Sequence, residues 1–363
     1  MMNELEAKRS RLLSWMANRG LDAVFLSRVS NFAWYTGGLE PVVMLSSDRA
    51  EAGLLITPEH SYVVCNSIEH PRLRDEDRLQ EQGFAFHVSP WYHGAPEFDS
   101  LVSGKQWATD WPLLSAQDVS AELAALRYQL LPEEVDRYRK LGRATGLALE
   151  RAARQVSPGM TEMEIAGRMA AEAMSEGTTP TMLLVGSDER IFRFRHPLPT
   201  SRRFERYALL AICARRWGLV ASITRLVHLG PLSAELRAKQ EACAFVDATY
   251  NLATVPGAAV SAIFQAAARA YEQAGFPDEW KNHNQGGSAG YESRDYEGTP
   301  SCPEHVLAEQ GFAWNPSITG VKSEDTILAH ASGPEFLTTT GEWPTVRVSV
   351  GDRFLDRPAI LIL

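Results

Sequence analysis

The residues of this sequence best suited to chemistry lie between positions 190 and 330. His196 can carry a proton near neutral pH and is the candidate acid–base residue; the alternative is a histidine that fixes the turn ahead of Pro197. Glu324 can anchor a guanidinium or ammonium group through charge-assisted hydrogen bonds, or can be absorbed in a salt bridge with Arg225 or Lys322. The adjacent pair Arg294 and Asp295 can clamp a carboxylate or neutralise each other. Asn315 both donates and accepts, so it can orient a polar ligand, and Gln285 and Tyr291 add further polar ends. His283, beside a run of glycines, either lines the same pocket or packs. His228, in the apolar run 226–229, reads as a packed strand residue, and Trp217 and Trp314 read as core before pocket wall.

One literal motif leads nowhere. Gly286-Gly287-Ser288-Ala289-Gly290 satisfies G-x-S-x-G, but a nucleophile elbow needs a helix directly after the serine. Here Tyr291–Tyr296 is followed by Gly298 and Pro300, which form no helix, so serine-hydrolase chemistry is set aside. The glycines read instead as positions where the backbone passes close to a ligand or a neighbouring strand.

The elements that must position these residues follow from periodicity and punctuation. Leu5, Leu12, Leu13 and Met16 recur at helical spacing and Gly20 closes that helix. Short β-like runs at 23–26, 54–57, 62–65 and 84–87, separated by turn residues, predict a small mixed α/β domain. Leu131-Pro132-Glu133-Glu134 opens a long charged helix with proline in its first turn, and the domain boundary is placed just before it, giving domains 1–130 and 131–363. Thr161 and Glu164 predict a capping box ahead of Ile165, Met169 and Ala173. Extended segments at 182–185 and 207–229 follow, the latter a hairpin about Gly218, then helices at 234–252 and 262–275. Strands and turns fill the last ninety or so residues around the polar blocks 281–296, 313–327 and 343–363.

Composition sets the class. A chain of 363 residues with 45% hydrophobic and 22% charged residues is globular and long enough for two domains. The net charge of −9 argues against a nucleic-acid partner, although Arg190, Arg193, Arg195, Arg202, Arg203 and Arg206 cluster locally, as solvated charge or an anion site. The first residues are charged rather than apolar, so no signal peptide is expected, and no apolar run is long enough to span a membrane. Cys65, Cys213, Cys243 and Cys302 are widely spaced, with no C-x-x-C pair, which predicts buried free thiols in a reducing cytoplasm.

Several phrases, in this order along nearly the whole chain, resemble the creatinase, aminopeptidase P and prolidase superfamily. They are Asn31-Phe32-Ala33-Trp34-Tyr35-Thr36-Gly37, the Phe194 to Thr200 segment with His196-Pro197, Ser222-Ile223-Thr224-Arg225, and Gly320-Val321-Lys322-Ser323-Glu324-Asp325-Thr326. The resemblance implies an α/β N-terminal domain followed by an α+β pita-bread C-terminal domain with a curved antiparallel sheet. It implies a homodimer, with residues 31–37 as candidate pocket lining, in cis or in trans. It also implies that His196 faces substrate, and that Arg294 and Asp295 stand where the family's peptidases carry a His-Glu pair.

The departures are as informative as the matches. The superfamily's peptidases hold two divalent ions with two aspartates, a histidine and two glutamates. The matching positions here read Ala211, Ser222, Gly287 and Asn315, and only Glu324 remains. One carboxylate does not neutralise and bridge two hard cations. No metal ligand set and no cofactor are therefore expected. Yet Gln285, Tyr291, Arg294, Asp295, Asn315, Lys322 and Glu324 still converge, where apolar filling would serve a dead site. Creatinase and ectoine hydrolase, metal-free members of the superfamily, make the leading expectation a metal-independent hydrolase that cleaves a C–N bond in a small amino-acid-like molecule. The alternatives are an inactive pseudopeptidase acting as a binding module and an Xaa-Pro aminopeptidase or prolidase with an atypical metal site.

Overall fold

The computed structural model describes residues 3–94, 97–113 and 116–363, and the chain divides into two compact units between Arg127 and Tyr128. The sequence places that division at 130/131. Residues 128–130 associate with the second unit because the Leu130 amide donates to the Glu309 carbonyl and Gln129 bridges to Gln310.

The first unit is a six-stranded mixed sheet in the order Ala85–Ser89, Ser61–Asn66, Arg49–Ile56, Ala23–Arg28, Trp107–Thr109, Gln117–Asp118. Its first helix, Glu4–Arg19, has the reciprocal Asn3–Glu6 capping box and ends at Gly20 in the left-handed region, as the spacing predicts. The two short strands at 107–109 and 117–118 carry too few apolar residues to be seen in the sequence. Asn31 to Tyr35, expected to lie in a loop that lines a pocket, instead belong to the helix Val29–Tyr35, every residue of which is buried. The cause is Asp110, fully buried, which accepts from the Ser27 amide at 2.7 Å, the Arg28 amide at 2.9 Å and Asn31 Nδ2 at 2.9 Å. Asn31 therefore ties its own unit together, and residues 31–35 have no surface left to offer a partner.

In the second unit, Pro132–Arg154 and Glu162–Ser175 lie against a four-stranded sheet. Its order is Leu361–Ile362, Leu219–His228, Tyr207–Arg216, Thr179–Ser187. The hairpin turns at Trp217 and Gly218, both at positive φ (57° and 74°), the backbone of a tight two-residue turn. A five-stranded antiparallel sheet follows, ordered Tyr296–Glu297, Gly286–Ser288, Gln310–Trp314, Asp325–His330, Gly333–Phe336. The two sheets join where the Thr224 amide donates to the Glu324 carbonyl at 3.2 Å and Ser222 exchanges both backbone groups with the Thr326 hydroxyl. Helices Ala234–Ala253 and Val260–Gln273 pack on each other, and Tyr250 stacks on Trp314 with ring centroids 4.5 Å apart. The result is the helix-backed, curved antiparallel sheet that the resemblance implies. All four cysteines are free and buried, and among the described residues no helix is long and apolar enough to cross a membrane.

Behind the second sheet lies a dry ion network. Asp325 accepts from Arg225 at 3.0 Å, from Arg357 at 2.7 Å and from Thr338 at 2.7 Å, and Arg357 also donates to Asp247 at 2.6 Å. All four charged residues are at most 2% exposed. Burial raises the Asp325 pKa, but Arg225 and Arg357 outweigh it and hold the carboxyl below its ordinary value. Replacing Arg357 by Met leaves Asp247 and Asp325 each short of a cation, so urea unfolding should register a loss of about 3–5 kcal/mol. The exposed Arg139–Glu335 pair, removed by Arg139→Met, should register less than about 1 kcal/mol.

Candidate functional site

Strand alternation turns Glu324 to the opposite face from Asp325. There its carboxylate, 2% exposed, accepts from Lys322 Nζ at 2.9 Å and Thr224 Oγ1 at 2.6 Å on one oxygen, and from Arg294 Nη2 at 3.1 Å on the other. Burial raises the pKa of this group. Lys322 and Arg294, helped by the Thr224 hydrogen bond, overcome that effect and hold it down at about 2. Glu324 is thus a permanent anion with both oxygens engaged. The register Ala313↔Thr326, Trp314↔Asp325, carried one step further, sets Asn315 opposite Glu324 on the same face. Asn315 is 4% exposed, its Nδ2 reaches toward Asn284 Oδ1 at 3.5 Å, and its Oδ1 is buried with no hydrogen-bond donor.

Beside this cluster two imidazoles meet. His196 Nε2 and His283 Nε2 lie 3.1 Å apart with rings edge to face, and His283 Nδ1 lies 3.0 Å from Ser317 Oγ, to which Arg195 donates at 3.2 Å. Arg195 is itself held by Glu279 and Thr319. The contact between the two Nε2 atoms requires one ring to donate and the other to accept, so at least one ring is neutral. Burial, then Lys322 and then His196 push the His283 pKa down to about 3. His196 is lowered also, by burial first and Lys322 second, against a smaller opposing pull from Glu324. His283 is buried while His196 is exposed, so the pair connects the interior to solvent.

Not every candidate joins this group. Lys322, Arg294, Asn315, Glu324, His196 and His283 come together. Asp295 follows Arg294 and presents Oδ2 beside Gly290. Tyr291 instead donates to Glu134 at 2.6 Å, at the start of the long helix. Gln285 accepts from Tyr271 at 2.9 Å and donates to the His283 carbonyl at 2.8 Å, so it supports the histidine from behind. Arg225 belongs to the Asp325 network on the far face, because only its neighbour Thr224 points toward Glu324. Ser288 is fully buried and receives Gln310 Nε2 at 2.9 Å, with no imidazole as partner. Trp314 is core, and His228 sits in its strand with Nδ1 on the Gly230 carbonyl at 2.9 Å.

Residues 136–331, more than half the chain, match the model of the family described as metallopeptidase family M24. The chain belongs to metallopeptidase family M24. Among solved structures it is similar to an Xaa-Pro dipeptidase from Bacillus anthracis, with 15% identity over 99% of this chain and 100% of that one and a TM-score of 0.79. It is similar also to the prolidase from Pyrococcus horikoshii OT3, at 18% identity, 92% and 98% coverage and a TM-score of 0.76. A third likeness is the N-terminal domain of FACT complex subunit SPT16 from Cicer arietinum (chickpea), at 13% identity, 92% and 96% coverage and a TM-score of 0.68. At these identities the likeness is one of fold, and no curated protein matches the sequence. Within this M24 chain, Ala211, Ser222 and Thr224 share one face through the register Ala211↔Thr224, Cys213↔Ser222, and Ser222 Oγ contacts Cys213 Sγ at 3.1 Å. A Cβ added at Gly287 would lie 2.2 Å from the Tyr296 carbonyl oxygen. Among the described residues no three His, Cys, Asp or Glu side chains are grouped to share a metal ion.

The histidine pair has a pH consequence. His283 is neutral in the folded protein down to about pH 3, whereas the unfolded chain protonates it near its ordinary value of 6.5. The unfolded state therefore binds the extra proton between these limits, and stability falls as pH drops from 6.5 toward 3. Histidine-resolved NMR should show the His283 ring still neutral at pH 5, and His283→Asn should flatten that limb of the stability curve. A ring that titrates near 6.5 would contradict this environment.

Proposed function

We propose that this M24 member is a metal-independent hydrolase that cleaves a C–N bond in a small, amino-acid-like molecule. The observation that carries the reading is the charge around Glu324. A site for two divalent ions presents several anions to cations, but here an ammonium and a guanidinium already face the one carboxylate of the face. Ala211 offers no donor atom and Ser222 only a neutral hydroxyl, and at Gly287 the neighbouring strand stands where a side chain would go. These residues do not fit a pair of dications, and the chemistry is assigned to side chains alone.

In this reading His196 is the catalytic acid–base. It hydrogen-bonds to His283 through Nε2, takes a proton from the attacking water and returns it to the departing nitrogen, and His283, braced by Ser317 and Arg195, fixes its ring. Lowered pKa values keep both rings neutral, hence ready to accept, at physiological pH. Glu324 acts as a positioning residue that holds Lys322 and Arg294, while Lys322, Arg294 and Asn315 bind substrate. We place the protein in the cytoplasm as a homodimer, a state that analytical ultracentrifugation tests directly.

A second reading, a binding module without turnover, draws support from the same fold in the SPT16 N-terminal domain. One experiment separates the readings. Chelator-treated protein, shown by elemental analysis to hold well under one metal equivalent, is assayed for amine release from N-acyl and ureido amino acids and from Xaa-Pro dipeptides. The expected outcome is turnover that survives the chelator and falls by about 10²–10⁴-fold in His196→Ala. Activity that appears only on adding manganese or zinc would overturn metal independence, and no turnover on any member would favour the binding module.

A further inference from the structure

The polar groups around Glu324 are not all satisfied by the protein, and the unsatisfied ones are complementary. Lys322 is 7% exposed and carries three N–H donors, with Glu324 as the acceptor of one. Arg294 Nε is buried with no acceptor, while its Nη1 and Nη2 reach the Ser293 carbonyl and Glu324. Asn315 Oδ1, opposite Glu324 in register, is a buried acceptor with no donor. Buried polar atoms in native proteins are nearly always hydrogen-bonded, so open donors and an open acceptor on one wall point to a ligand that supplies both.

Three ligand chemistries can be compared against this wall. A carboxylate satisfies Lys322 and Arg294 but sets oxygen lone pairs against Asn315 Oδ1. An ammonium or guanidinium satisfies Asn315 but is repelled by the two cations. A planar, uncharged N–C=O group with a hydrogen on its nitrogen satisfies all three.

We propose that Lys322, Arg294 and Asn315 form a subsite for one secondary amide or ureido group, with the carbonyl oxygen on the two cations and the N–H on Asn315 Oδ1. This deepens the hydrolase reading and rests on it for the cleavage step. Water adds to the carbonyl carbon as the C=O electron pair moves onto the oxygen beside Lys322, and His196 takes the water's proton. The C–N bond then breaks with its pair on nitrogen, which receives that proton; an acid and an amine leave. Lys322 acts here as the electrophile that stabilises the oxyanion. The nitrogen must carry a hydrogen, so the bond before proline, whose nitrogen has none, is a poor ligand for this site.

Two matched probes test the proposal: N-acetylglycine, which has the N–H, and N-acetylsarcosine, in which a methyl replaces it. Calorimetric titration of the full-length protein should find the first bound at least about 10-fold more tightly, a difference of about 1.4 kcal/mol. Asn315→Leu should abolish the preference, and Asn315→Asp, which keeps an acceptor, should retain it. Lys322→Met should weaken both probes alike; should that variant not fold with Glu324 left under-compensated, Lys322→Met with Glu324→Gln replaces it. Equal affinity for the two probes, no binding of either, or a preference that survives Asn315→Leu would each overturn the subsite. Discrimination without amine release would leave the subsite standing and remove the hydrolase reading, whereas turnover without discrimination would do the reverse.

Discussion

Two consecutive carboxylates, Glu324 and Asp325, lie buried at the junction of the two sheets, and most of the second unit's polar architecture exists to compensate them. Because neighbouring strand residues face opposite ways, each needs its own cations. Asp325 has Arg225 and Arg357, with Arg357 shared by Asp247 on the helix Ala234–Ala253. Glu324 has Lys322 and Arg294. An isolated buried carboxylate would take up a proton rather than stay charged. With two cations each, both are held below their ordinary pKa instead, and the strand that carries them is pinned from front and back.

The two faces solve the same electrostatic problem with different slack. On the back face, Asp325 also receives the Thr338 hydroxyl, and Arg357 spans two acids, so the network spreads across a helix, three strands and a loop. On the front face the cations outnumber the one acid they hold, and they retain N–H groups with nothing to bind. The back face holds orphan donors too, Arg225 Nε and Arg357 Nη1, so what sets the front face apart is its surplus of cation over acid beside the orphan side-chain oxygen of Asn315. It also explains the depressed basicity of the histidine pair. Burial is the largest cause of lowering for both His196 and His283 and Lys322 the second, so the ammonium that holds Glu324 also weighs against protonation of the two imidazoles.

Much of this was legible in the sequence, and the misses have a common origin. Helix starts at Asn3, Pro132 and Thr161 were readable because capping and proline placement are local chemistry. The coming together of Lys322, Arg294, Asn315 and Glu324 followed from the superfamily resemblance. Arg225 meets Glu324 only at its backbone carbonyl, at 3.5 Å, and gives its charge to Asp325. Strand alternation separates Thr224 from Arg225 and Glu324 from Asp325, but which of them share a face is fixed by the antiparallel Thr224–Glu324 bridge, a long-range contact with no local signal. No local signal existed for Tyr291 with Glu134 or Gln285 with Tyr271, which are 157 and 14 residues apart and meet only through packing. The short interior strand Trp107–Thr109 escapes for want of length. Asn31 misleads because a buried bridge, here to Asp110 and Arg127, and an exposed binding role use the same residue type.

The glycine pair 286–287 shows how tightly the backbone closes the front face beside Glu324. Gly287 pairs with Ala313 on one side and Glu297 on the other, so its strand is enclosed within the sheet. A Cβ there would strike the Tyr296 carbonyl, and one at Gly286 would lie 2.1 Å from the Ala313 carbonyl. Placing a histidine at 287 would therefore require the Tyr296–Glu297 strand to withdraw, giving up its ladder with Gly286–Ser288 and the nearby Gly298 amide bond to the Gly286 carbonyl. Backbone and charge act together on this face: the neighbouring strand stands over position 287 while the Lys322 ammonium holds Glu324. A side chain at 287 and a cation brought to Glu324 would each meet a separate obstacle on the same face of the fold, one steric and one electrostatic.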